Sequence, residues 1–188
     1  LEEQLLKGKI SVSKDGEVIY VPVKAKSVKL PIHLSASIVK TLSSLTFYLR
    51  YLAKNNDLII IDEPELNLHP DNQIVLARLF AKLINKGFRL LISTHSDYII
   101  REINNLIMIS SSSDEMKKLA IELGYQNDEY IDSNEVNAYL FNHKGKRSVV
   151  VSKIPVTVAG FEVDTIDSAI NNLNSVSEEL YYTMKYGK

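Results

Sequence analysis

"LIIIDEPELNLHPDNQ", from Leu58 to Gln73, decides the fold of this 188-residue chain. Four apolar residues stand directly before two adjacent carboxylates. A run of this length is too short for a helix and is apolar on both faces, which is typical of a strand buried in a parallel sheet. Pro70 is favoured at the first position of a helix, where its missing N–H costs nothing, and Gly87 is suited to end that helix. The stretch therefore predicts a strand, an acidic turn and a helix.

The pattern of strand and helix continues after Gly87. "FRLLIS", from Phe88 to Ser93, predicts a second buried strand. "SDYIIREI" predicts a short helix, and "LIMIS" from Leu106 predicts a third strand. A β-α-β-α-β order is the signature of a parallel sheet covered by helices.

Antiparallel hairpins are predicted on either side of this core. Apolar and polar residues alternate around Asp15-Gly16, a dipeptide that favours a tight turn. A second hairpin is predicted from Val136–Phe141 and Arg147–Val158, with its turn around His143-Lys144-Gly145. A last helix begins near Val163 and restarts at Ser175. The predicted fold class is α/β, a parallel sheet with flanking helices plus antiparallel β-hairpins.

Composition narrows the class of protein. The 22 basic and 23 acidic side chains leave a net charge of −1, so no strong global field attracts nucleic acid or an anionic membrane. The absence of cysteine excludes disulfides and thiolate metal sites and fits a reducing cytoplasm. No apolar run approaches the roughly 20 residues that span a bilayer. We therefore expect a soluble cytoplasmic protein with no membrane partner.

Candidate functional residues stand at the predicted strand ends. Asp62 and Glu63 end the first buried strand, and ligands of parallel α/β sheets bind at the carboxyl ends of strands. His95 ends the second strand, 33 residues after Asp62 (95 − 62), which is the length of one βαβ unit. The pair of carboxylates suits a Mg²⁺ site and a general base. A strand that ends in a solvated acidic turn, without any bound ligand, would have the same sequence pattern.

These motifs resemble a known family. "LIIIDEPELNLHP" resembles the Walker B motif and D-loop of ABC-class P-loop ATPases, and "LLISTHSD" resembles their switch histidine. The resemblance points to the AAA-type ATPases of the OLD-like group, related to SMC and DNA-repair ATPases. "LPIHLSASIVKTL", upstream at the start of a helix, stands in the place of the signature motif. The family reads LSGG or SSG there, whereas Ala36 and Ile38 replace glycines in this chain.

The resemblance implies roles for individual residues, with ATP and Mg²⁺ as cofactors. Asp62 would organise Mg²⁺ through water, Glu63 would orient or deprotonate the attacking water, and His95 would contact the γ-phosphate. The signature and D-loop positions would meet the partner subunit or its nucleotide; these are Ser35, Ala36 and Ser37, and Asn67, Leu68 and His69.

One part of such an ATPase is missing from the sequence. A phosphate loop reads G-x-x-x-x-G-K-[ST], and none of the seven glycines has that spacing. We therefore expect the loop upstream of Leu1 or on another polypeptide. Residues 1–188 would be the C-terminal part of an ABC/AAA-type ATPase domain, inactive alone, with residues 111–188 as its C-terminal α/β extension. ATP would close two such domains head to tail, as a homodimer or with a second ATPase domain, and DNA or an effector nuclease would be a further partner.

Two other functions fit the same residues. Asp62, Glu63 and Glu65 with His95 could form a metal-dependent nuclease site, in which metal ions activate water. A TOPRIM-type nuclease site would require a D-x-D pair, but in Asp62-Glu63-Pro64 the third position is proline. The other alternative is a non-catalytic interaction module, against which the intact pair argues because Glu63 has little structural use at a strand tip.

Overall fold

The computed structural model describes residues 2–144 and 148–187, which fall into two compact units, Leu1–Ile131 and Asp132–Lys188. The predicted α/β class, with a parallel sheet, flanking helices and antiparallel hairpins, is confirmed. The strands are β1 (Gly8–Val12), β2 (Val18–Pro22), β3 (Leu30–Pro31), β4 (Leu58–Asp62), β5 (Arg89–Ser93), β6 (Ala138–Lys144) and β7 (Ser148–Ile154). The α-helices are α1 (Ser37–Tyr51), α2 (Pro70–Asn85), α3 (Asp97–Ser110), α4 (Asp114–Glu122) and α5 (Asp164–Tyr186).

The first unit begins with an antiparallel sheet in the order β1-β2-β3. The predicted hairpin is confirmed, and Gly16 in its turn has a φ of +84°, a value that glycine adopts without strain. Gly8 is required for space, because a Cβ there would lie 2.2 Å from the Tyr20 ring. The Tyr20 hydroxyl donates a hydrogen bond of 2.6 Å to the Leu6 carbonyl. The ring therefore fixes the start of the chain against the hairpin.

The parallel pair β4–β5 supports the candidate site. The strands pair in register from Leu58 opposite Arg89 to Asp62 opposite Ser93, so both carboxyl ends lie at one edge. Helix α2 connects them, and its Phe80 is 1% exposed in the core. The core of the unit is one apolar cluster, made of Leu5, Leu6, Ile10, Tyr20, Val39, Leu42, Ile59, Leu68, Leu76, Ala77, Phe80, Leu83 and Ile99.

The predicted third strand is wrong. Residues 106–110 form the last turns of α3, so the described parallel sheet has two strands rather than three. Ile99, Leu106 and Ile107 are all buried on one face of this helix. A short apolar run such as "LIMIS" has no periodicity that separates a strand from the end of a buried helix. The preceding helix simply continues through it.

A buried ion pair joins α2 to α3. Arg78 Nε lies 2.5 Å from Glu102 Oε1, and the Glu102 side chain is only 5% exposed. The Arg78 guanidinium also stacks 4.1 Å from the centre of the Tyr125 ring. Asn105 Nδ2 donates to the other Glu102 oxygen at 3.1 Å. This cluster fixes the two helices whose N-termini follow the two strand ends.

The second unit contains a hairpin and a long helix. β6 and β7 pair antiparallel from Ala138 opposite Ile154 to Lys144 opposite Ser148, as predicted. The predicted turn at Gly145 lies outside the described residues. α5 runs without the predicted break at Ser175, because it contains no proline or glycine that would interrupt it. Within the described ranges, no helix combines the length and the apolar character needed to cross a bilayer.

Candidate functional site

The ends of β4 and β5 are tied together by Asp62, Glu63 and Ser93. The Ser93 hydroxyl donates to Asp62 Oδ1, and the Glu63 amide donates to the Ser93 carbonyl at 3.1 Å. Glu63 has a φ of +42°, which lies in the left-handed region and is uncommon outside glycine. Such a conformation costs on the order of 1–3 kcal/mol and clusters at functional sites. The hydrogen bonds around this turn therefore hold Glu63 in a backbone conformation that a glutamate rarely adopts.

Glu63 and His95 meet across this edge. Glu63 Oε1 lies 3.5 Å from His95 Nε2. The His95 side chain is 87% exposed and that of Glu63 is 36% exposed. Both groups can therefore reach a bound molecule at the strand ends. The sequence predicted this neighbourhood from the length of the βαβ unit.

Glu65 holds the end of β5 in place. Its Oε1 accepts hydrogen bonds from the Thr94 hydroxyl at 2.7 Å and from the His95 amide at 2.8 Å. Its Oε2 is buried and has no hydrogen-bond partner among the described residues. A buried contact or a helix cap was open for Glu65 from its sequence, but the D-E-P-E spelling gives no sign that the carboxylate reaches a residue 30 positions along the chain. Glu65 positions the backbone of His95.

The next turn leads into α2. Asn67 is exposed with a φ of +62°, whereas Leu68 is 7% exposed and belongs to the core. His69 is the N-cap of α2, and its Nδ1 accepts from the Asp71 amide at 3.4 Å. Of the three D-loop positions, only Asn67 and His69 therefore present exposed side chains.

The signature positions lie at the start of α1. Ser35 is 7% exposed, and its hydroxyl donates to the Ile32 carbonyl at 2.5 Å. Ala36 is the N-cap, so no side chain caps the first turn, which begins at Ser37. Across residues 2–144 and 148–187, no hydrogen bond or ion pair joins these residues to the strand ends. Ser37 is exposed, so the structure offers its side chain and the uncapped backbone N–H groups of the first turn, but not the buried Ser35 hydroxyl.

A cleft of about 330 Å³ opens between α1 and β4. Asp62, Glu63 and Pro64 line it from the strand end, and Thr41, Ser44 and Tyr48 are its polar members on α1. The Tyr48 hydroxyl donates to Asp57 at 2.5 Å, and this bond holds the pKa of Asp57 below its usual value. The cleft brings the two carboxylates beside a largely apolar wall.

The side chains available as metal ligands restrict which metal ion could bind at the ends of β4 and β5. Across residues 2–144 and 148–187, no group of three or more His, Asp or Glu side chains could hold a metal ion. Mg²⁺ prefers oxygen ligands, retains several waters and is commonly held by one or two carboxylates plus substrate phosphates. Asp62 with the adjacent Ser93 hydroxyl fits such an ion. A fully protein-coordinated metal centre does not fit these residues.

A search of curated proteins finds no match. One similar solved structure comes from work on the structural biochemistry of ATP-driven dimerization and DNA stimulated activation of SMC ATPases. It is 13% identical, with a TM-score of 0.49, and the match covers 90% of this chain and 81% of that chain. A family model described as an AAA ATPase domain matches residues 2–100, which include Asp62, Glu63 and His95. Because this match spans more than half of the chain, the protein belongs to the AAA ATPase domain family.

Proposed function

We propose that this chain supplies the Walker B half of a nucleotide site that hydrolyses ATP. The observation that carries the proposal is the juxtaposition of Glu63 and His95, whose Oε1 and Nε2 atoms lie 3.5 Å apart. It lies at the carboxyl ends of two parallel strands, where α/β proteins bind ligands. The family match supports an ATPase, and the geometry supports these residues as its catalytic groups.

Each residue has a distinct task in the proposed reaction. Glu63 accepts a proton from the attacking water, and His95 donates a hydrogen bond to the terminal phosphate. Asp62 would hold Mg²⁺ through water, and that ion would neutralise phosphate charge when bound. Glu65 keeps His95 in reach through the His95 amide. The strained φ of Glu63 supports a functional role, because a merely solvated acidic turn needs no such conformation.

The proposed site is completed from outside this chain. The 188 residues contain no phosphate loop, so another segment or polypeptide supplies it. The uncapped N-terminus of α1 is suited to bind the γ-phosphate of a nucleotide held by a second domain, because its N–H groups point outward at the positive end of the helix dipole. We infer an ATP-dependent head-to-tail dimer. The sequence resemblance extends the proposal to work on DNA or in phage defence, in the cytoplasm.

The nuclease alternative needs Asp62, Glu63 and Glu65 to converge on metal ions. In the structure, Glu65 is directed to Thr94 and to the His95 amide, and Asp62 accepts from Ser93. This arrangement favours the ATPase. Metal-dependent cleavage of plasmid DNA that survives loss of ATP binding would reverse that preference.

The first test concerns the chain alone. We expect no saturable ATP binding at millimolar nucleotide, because Asp62 and His95 offer one metal contact and one hydrogen bond without a loop around the β-phosphate. Isothermal titration calorimetry with ATP and Mg²⁺ measures this. A micromolar dissociation constant for the 188-residue chain would contradict the proposed division of the site.

The second test concerns His95 in a protein that joins this chain to its phosphate loop. His95→Ala should slow ATP turnover by about 10-fold or more, the equivalent of about 1.4 kcal/mol in transition-state stabilisation. ADP affinity should stay nearly unchanged, because ADP lacks the group that His95 contacts. His143→Ala, which removes an exposed histidine of β6, is the matched control. Equal loss of ADP and ATP binding would make His95 a structural residue of the strand end.

A further inference from the structure

The parallel strands β4 and β5 have one face that packs on the core and one face that is uncovered. The packed face consists of Ile59, Ile61, Leu90 and Ile92. On the other face Leu58 is 50% exposed, Ile60 is 68% exposed and Leu91 is 56% exposed. Parallel sheets occur almost only with both faces covered. Sequence analysis likewise predicts a strand that is buried on both sides, so the uncovered face is a surface that another polypeptide segment covers.

This uncovered face leads directly to the proposed nucleotide site. We call it the open face; it consists of Leu58, Ile60 and Asp62 of β4 and Arg89, Leu91 and Ser93 of β5. Residues two apart on a strand share a face, and Ile60 pairs with Leu91 while Asp62 pairs with Ser93. Asp62 and Ser93 are both exposed. A segment that packs on the two apolar side chains therefore lies beside the carboxylate that is proposed to hold Mg²⁺.

We propose that the open face is the docking surface for the segment that carries the phosphate loop, which covers it with an apolar helix. This inference rests on the proposed function, which takes that loop from outside these residues. A phosphate loop joins a strand to the N-terminus of a helix. The open face is about 13 Å long from Leu58 to Asp62, a length that a helix of about nine residues spans. The loop would lie at Asp62 while the helix covers Ile60 and Leu91.

The charges at the two ends of the open face favour one direction of this helix. Asp62 lies at the carboxyl end of β4, whereas Arg89 lies at the start of β5, opposite Leu58. A helix that begins at Asp62 places its positive dipole end by a carboxylate and its negative end by a guanidinium. The reverse direction would bring like charges together. The Arg89 guanidinium also donates to the Asn56 carbonyl at 3.1 Å, which helps to hold the positive charge at this end.

A second copy of this chain is the competing occupant of the open face. Such a copy would cover Asp62 and Ser93 together with the apolar residues, because all of them lie on one face. The docking surface and the nucleotide site could then not be used at the same time. The proposed function needs both and therefore favours the segment with the phosphate loop.

Cysteine labelling tests the open face, and the cysteine-free sequence gives a clean background. I60C and L91C should react readily with a maleimide in the 188-residue chain at low concentration. In a protein that combines this chain with its phosphate loop, without nucleotide, both should react about 10-fold more slowly, because a covered thiol reacts only when the covering segment opens. L119C, at an exposed leucine of α4, is the matched control and should react alike in both proteins.

The outcomes of the labelling experiment separate the possible occupants. Equal labelling of I60C or L91C in the two proteins would overturn the proposal, as would equal protection of L119C. Protection of I60C that rises with the concentration of the chain alone would assign the face to a second copy and also overturn it. Protection in a combined protein that does not hydrolyse ATP would support the docking surface and contradict the proposed function, whereas hydrolysis without protection would do the reverse.

Threonine substitutions test the same contact through stability. Threonine suits a strand as isoleucine does but carries a hydroxyl, which is unfavourable under an apolar helix. I60T and L91T should leave the urea midpoint of the 188-residue chain nearly unchanged, because both side chains are exposed there. Both should lower the midpoint of the combined protein, measured by circular dichroism. Equal shifts in the two proteins would overturn the proposal.

Discussion

Glu63→Gln should lower ATP hydrolysis by about 10²-fold or more while ATP still binds, because the amide keeps the size and hydrogen bonding of the carboxylate but is not a base. The protein tested is one that combines this chain with its phosphate loop. Because the nucleotide would persist between two subunits, the variant should accumulate as an ATP-dependent dimer. Steady-state phosphate release and size-exclusion chromatography with and without ATP measure both effects.

Asp62→Asn changes the adjacent residue and serves as the matched comparison. It should affect nucleotide binding and dimerisation differently from Glu63→Gln. It removes the charge that holds the waters of Mg²⁺, so Mg²⁺-dependent nucleotide binding should weaken and no trapped dimer should form. Asp62 and Glu63 are adjacent, so a general disturbance of the turn would affect both variants alike. Identical behaviour of the two variants, or near-normal turnover with Glu63→Gln, would contradict these roles and would mean that "IDEPE" is only an acidic strand end.

Glu102→Ala should lower the free energy of unfolding by about 3 kcal/mol, because it leaves the partly buried charge of Arg78 without its partner. The Glu102 side chain is 5% exposed and that of Arg78 is 24% exposed, so solvent compensates little for the loss. Asn105 and Tyr125 also lose a hydrogen-bond acceptor. Urea denaturation followed by circular dichroism measures the change.

Two companion variants locate the cause of that loss. Glu122→Ala removes an exposed carboxylate from α4 and should change stability by no more than about 0.5 kcal/mol. Glu102→Gln keeps an oxygen for Arg78 and should lose less than Glu102→Ala. If Glu102→Ala matched Glu122→Ala, the pair would not stabilise the contact between α2 and α3.

The sequence predicted the part of the site that local order controls. The apolar run at Leu58, the proline at position 70 and the apolar run at Phe88 specify a βαβ unit, and parallel pairing then brings Asp62 and His95 to one edge. The structure confirms this pairing. The strand predicted from the apolar run at Leu106 was wrong, because four apolar residues fit a strand and the end of a buried helix equally well.

The sequence by itself therefore determined the βαβ unit from Leu58 to Ser93 and the edge at which the acidic residues and the histidine meet. Tertiary structure decided the left-handed conformation of Glu63, the burial of Ser35 and the contact from Glu65 to His95. The physical reason is the separation along the chain over which each interaction acts. Apolar periodicity and proline act on neighbouring residues, whereas a turn conformation or a hydrogen bond across 30 residues exists only once β4 and β5 have paired.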